Sequence, residues 1–108
     1  LRGIGRKGSR GGAKAVKAVL SVTVKDGNGD SREKRLLFDT EKATEVCDVV
    51  NAFGYAVQTI FLSPTGWLFL QNNTKGDLAV ADQKQVKDYI GENYPERFIE
   101  VFGKVEEA

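Results

Sequence analysis

Six cations stand close together at the start of the chain: Arg2, Arg6, Lys7, Arg10, Lys14 and Lys17. No acid interrupts them through residue 24, so residues 1–24 carry +6. Their chemistry is electrostatic. A run of cations spaced by glycine can follow a phosphate backbone and release its counterions. Arginine can also grip two phosphate oxygens at once. The segment has no Phe or Tyr, so nothing in it suggests base-specific reading. Residues 25–108 hold 10 basic and 15 acidic side chains and carry −5, and the total of +1 hides this division.

Other residue groups invite chemical readings and give weaker ones. Gly3-Ile4-Gly5-Arg6-Lys7-Gly8 fits G-x-G-x-x-G, but no strand precedes it, as a dinucleotide site requires. Asp26-Gly27-Asn28-Gly29-Asp30 resembles the opening of a calcium loop. Ser31 and Leu37 occupy the positions where that loop needs Gly and Glu, so a plain turn is expected. Cys47 lies among apolar residues beside Asp48, which suits an inert buried thiol. Tyr55, Phe61, Trp67 and Phe69 could stack bases on a sheet face, although a small domain needs most of its rings for its core. Trp67 follows a turn and is singled out as a protein-interaction residue. Glu96, Glu100, Glu106 and Glu107 accompany the last helix, where Arg97 and Lys104 make a solvated charged face the simpler reading.

Composition removes whole classes of chemistry. The chain has no His, so histidine-based nucleophile systems and imidazole metal sites are excluded. One Cys forms neither an internal disulfide nor a cysteine-rich zinc site. No cofactor and no metal is expected. No apolar run approaches the ~20 residues that span a bilayer, so no membrane partner is expected. The single Cys points to the cytoplasm.

The elements that position these residues follow from periodicity. The 108 residues suit one domain. Residues 1–12 hold Gly3, Gly5, Gly8, Gly11 and Gly12 and read as a flexible basic arm, with 13–108 as the domain. Val16 to Lys25 alternates with period two and predicts a strand, returning through the Asp26-to-Asp30 turn along Arg32 to Phe38. Asp39 or Thr40 then reads as a helix cap. Ala43, Val46, Cys47, Val50 and Phe53 form an apolar stripe at helical spacing, ended by Gly54. Strands follow at Tyr55 to Leu62, Trp67 to Gln71 and Asp77 to Ala81. Ser63-Pro64-Thr65-Gly66 carries a type I turn signature between the first two. Two helices close the chain. The first is capped by Asp82 with Gln85 and stopped by Gly91, and the second is opened by Pro95 and stopped by Gly103. The order β-β-α-β-β-β-α-α predicts an α+β fold, a small mostly antiparallel sheet with helices packed on one face.

Three function classes follow. The first is a non-enzymatic binding module or assembly subunit, whose basic arm contacts nucleic acid or another acidic surface. The second is a protein-interaction or assembly accessory protein, a partner of other proteins or of its own copies. It would use the hairpin around Trp67 or an exposed strand edge. The third is an enzyme built on carboxylates, Lys or Tyr, and no two such residues fall at a motif-like spacing. No enzymatic activity is expected.

Overall fold

Alternating burial along residues 16–25 produces the first strand, β1 (Lys17–Lys25), in a computed structural model that describes residues 15–103 and 105–107. The proposed arm, residues 1–12, lies outside the described residues. β1 turns at Asp26 and pairs antiparallel along its full length with β2 (Ser31–Asp39), from Lys17 opposite Asp39 to Lys25 opposite Ser31. Four further strands follow: β3 (Thr44–Val50), β4 (Ala56–Leu62), β5 (Leu68–Asn72) and β6 (Leu78–Ala79). They form a second antiparallel sheet in the order β3-β4-β5-β6, each strand beside its chain neighbour. Helices α1 (Gln83–Asn93) and α2 (Pro95–Phe102) complete an α+β fold.

Successive residues of a strand point to opposite faces, and this splits the core in two. Phe61 and Phe69 join Val22, Phe38 and Leu78 in a cluster between the β1–β2 ribbon and the larger sheet. Their chain neighbours Ile60 and Leu68 join Val46, Val86 and Ile90 in a second cluster beneath the helices. The four-stranded sheet is thus the middle layer, with the ribbon on one side and both helices on the other.

One predicted element is overturned. Residues 44–50 form a strand where a helix was expected. The pairing Glu45–Phe61 is followed by Cys47–Ile60, so Val46 is an extra residue, a β-bulge. The bulge turns Val46 and Cys47 toward the same core and imitates the neighbouring positions of a helical stripe. Thr44, Val46, Val49 and Val50 are β-branched and favour the pleated conformation. The residues expected to extend the stripe, Val50 and Phe53, face solvent. The cap chemistry at Asp39 is present but serves a turn. Its carboxylate accepts from Glu41 N at 2.9 Å, and its carbonyl accepts from Lys42 N and Ala43 N.

The closing helices follow their signals with one change. Asp82 Oδ1 accepts from Gln85 N at 3.0 Å, and Pro95 opens α2. Gly91 does not stop α1, which runs on to Asn93. Its role is steric, because a Cβ there would meet the Phe98 ring at 3.4 Å.

Candidate binding surfaces

The hairpin turns share one chemistry. Asp26, Asn51 and Ser63 each begin a turn whose fourth residue is Gly29, Gly54 or Gly66. In each, the glycine N–H donates to the first residue's carbonyl, and the first residue's N–H donates to the carbonyl four residues on. All three glycines have φ between 84° and 95°, where a Cβ is strained. The first side chain braces the loop. Asp26 Oδ1 accepts from Asn28 N and Asp30 N, Asn51 Oδ1 from Phe53 N and Tyr55 N, and Ser63 Oγ from Trp67 N. The calcium-like segment is therefore a hairpin turn with its first carboxylate engaged by backbone. Among the described residues no cluster of three Cys, Asp or Glu could hold a metal ion.

The turn at Asn51 presents an apolar tip. Phe53 is 84% and Tyr55 70% exposed, with Val50 at 47% and Val57 at 37%. Ala52 and Ala56 are exposed beside them. No charged residue occurs between Asp48 and Lys75. The next turn supports the tip, since Asn73 N donates to Val57 O and Asn73 Nδ2 to Ala56 O, both at 3.1 Å. The sequence reading missed this surface by assigning Phe53 to a buried helical stripe. The signal was available in Asn51 and Gly54, spaced as Asp26 and Gly29 are, or Ser63 and Gly66.

The other rings are elsewhere. Phe61 stacks on Phe69 at 5.4 Å, and Phe38 tilts against Phe69 at 5.0 Å, so these serve the core. Trp67 is half-buried and packs against the same cluster. Of the six cations, only Lys17 lies within the described residues. It is exposed at the start of β1, and Arg2, Arg6, Lys7, Arg10 and Lys14 lie outside, as does the G-x-G-x-x-G match. The root of that segment is fixed to the fold: Val16 N donates to Thr40 Oγ1 at 2.9 Å, and Thr40 N donates to Val16 O at 3.0 Å.

β3 is an edge of its sheet, and side chains cover part of that edge. Arg97 donates through Nε to Val46 O at 2.9 Å and through its terminal nitrogen to Glu45 O. The Tyr94 hydroxyl donates to Asp48 O at 3.0 Å. These contacts occupy carbonyls that an added strand would need. Cys47 lies behind them. Burial pushes its thiol up to about 11, adjacent Asp48 adds to this, and Arg97 opposes it.

A groove of about 330 Å³ at the helices is lined by Lys87, Asp88, Gly91, Glu92, Pro95, Phe98, Ile99 and Val105. The Lys87 ammonium sits 4.8 Å from the Phe102 ring centre and 5.8 Å from that of Phe98, a cation–π arrangement that occupies this lysine. Glu100 pairs with Arg97 at 3.5 Å, and Glu96 lies in the first turn of α2, where its charge suits the helix dipole. Among the described residues no helix is long and apolar enough to cross a membrane. Comparison with family models, with curated proteins and with solved structures finds no match to this chain.

Proposed function

We propose that the chain is a non-enzymatic binding module whose basic N-terminal segment contacts nucleic acid or another phosphate-rich acidic surface. The observation that carries this reading is the charge division: +6 without an acid in residues 1–24, against −5 in the remainder. Mixed charges on one surface cancel at the distances over which salt screens, but an unbroken run of one sign does not. The Val16–Thr40 hydrogen bonds support the reading, because they tie the segment's root to a fixed point on the domain. The −5 remainder then discourages the body itself from lying along the same polyanion. The partly covered edge of β3 gives no corresponding support to strand addition at that edge, and the packing of Trp67 against the core gives none to a Trp67 contact.

Titration of duplex and single-stranded DNA with the full chain tests this. If all six cations meet phosphates on a duplex, log K falls against log salt with a slope near about −5, from roughly −0.9 per phosphate. Replacing Arg2, Arg6, Lys7, Arg10, Lys14 and Lys17 with Gln should bring that slope close to zero. A flat salt response in the unaltered chain would refute the reading.

A further inference from the structure

We propose that the hairpin tip at residues 50–57 is a membrane-interface anchor, entering the headgroup boundary of an anionic lipid bilayer while the basic segment supplies the charge attraction. The electrostatic half rests on the polyanion-binding reading above. The apolar half stands on its own observations.

The first is the make-up of the tip. Phe53 and Tyr55 flank Gly54 at the turn, and Val50, Ala52, Ala56 and Val57 are exposed around them. Aromatic rings with adjoining aliphatic groups suit the boundary between headgroups and hydrocarbon. Stacked bases would use the two rings and leave the four aliphatic side chains idle. A lipid surface takes all six.

The second is the state of the backbone. Asn51 N donates to Tyr55 O, Gly54 N to Asn51 O, and Phe53 N and Tyr55 N to Asn51 Oδ1, all between 2.9 and 3.1 Å. An unpaired N–H is costly to remove from water, and these four are already paired inside the turn. The uncharged stretch from residue 49 to residue 74 adds no carboxylate or ammonium to desolvate.

The third is charge complementarity and reach. Juxtamembrane cations are drawn to anionic leaflets, and a shallow apolar anchor holds firmly only with a second signal. The root at Val16 is bonded to Thr40, ahead of β3, and the tip follows β3, so a strand of about 23 Å separates them. Measured along the sequence from Val16, Lys7, Arg6 and Arg2 lie nine, ten and fourteen residues away, a contour of about 30 Å or more, which exceeds that separation, whereas Arg10 and Lys14 lie closer to the root.

The test is co-sedimentation of the full chain with vesicles of phosphatidylcholine, alone or with about one-third phosphatidylserine. Binding is expected to the anionic vesicles at low salt. The pair Phe53→Ser with Tyr55→Ser, both on exposed side chains, should lower it about tenfold or more while leaving the circular dichroism unchanged. A Phe53→Trp chain should gain a blue-shifted emission, quenched by brominated acyl chains, that the Trp67-only parent lacks. Unaltered sedimentation of the double variant overturns the anchor, as does unshifted Phe53→Trp emission on bound vesicles. Salt-sensitive DNA binding with no vesicle binding overturns the anchor and leaves the polyanion reading standing. Tip insertion that is indifferent to neutralising all six cations supports the apolar half and overturns the electrostatic half. Self-association that the double variant abolishes, with no lipid binding, overturns the bilayer in favour of a second copy.

Discussion

Cys47 shows how strongly one side chain's chemistry is set by its neighbours. Burial and then Asp48 raise its thiol from 9.0 to about 11, so near neutral pH it is a protonated, poorly nucleophilic group. Disulfide reagents are expected to label it much more slowly in the folded chain than in urea, which a thiol-exchange time course would check. Stability should depend on it at high pH. The unfolded chain loses this proton near pH 9 and the folded chain only near 11, so between those values the unfolded state binds fewer protons. The thiol's contribution is therefore full below about pH 9 and lost as pH rises toward 11. Denaturant midpoints across that window should fall less steeply in Cys47→Ala than in the parent. The sequence reading placed this thiol among apolar residues beside Asp48; it is half-buried against the second core cluster, and its element is a strand where a helix was expected. Asp48 is a chain neighbour in helix or strand alike, and Val46 lines the core in either.

At the scale of elements, β3 explains both what was legible and what was not. The turns at Asp26, Ser63 and Asn72 were readable, because Gly with Asp, Ser or Asn occupies positions the turn backbone itself demands. Both closing helices were readable from Asp82 and Pro95. β3 was not, because a bulge at Val46 shifts the inward-facing positions by one and makes a strand's spacing look helical. Local pattern cannot reveal a bulge, whose position is fixed by the partner strand's register. The apolar tip was missed by the same error, since its exposure follows only once residues 51–55 are a hairpin turn. The cover over β3 also lay beyond local reading: Arg97 reaches Glu45 and Val46 across about 50 residues. Arg97→Leu should cost about 1–3 kcal/mol, because it leaves the Val46 carbonyl without its guanidinium partner. It should also promote association through the uncovered edge. Urea denaturation and analytical ultracentrifugation would measure the two effects. Arg97→Lys, lacking the planar fork, should restore only part of either.

For the whole molecule, the fold class was legible, but the three-layer arrangement was not. Sequence alternation says that a strand has two faces, not which element covers each. Phe69 is where two of the layers meet, fully buried and in contact with Phe38 of the ribbon and Phe61 of the sheet. Phe69→Ala should destabilise the domain by about 3–5 kcal/mol, visible in its thermal unfolding. Near-ultraviolet circular dichroism should weaken with it, since Trp67 packs on the same cluster. The connectivity has a kinetic consequence too. Every strand pairs with its neighbour in the chain, so the sheets can zip through short loops on the microsecond scale of hairpins. Tyr94 and Arg97 must instead close loops of 46 to 52 residues to reach β3. On a ribosome, where residues emerge in order, the β3 edge is complete well before Tyr94 and Arg97, which cover part of it, have been made. The nascent chain therefore passes through an interval in which that edge is formed and its carbonyls are unguarded. A chaperone acting on this protein would be needed in that interval, and translation speed through residues 51–97 would set how long it lasts.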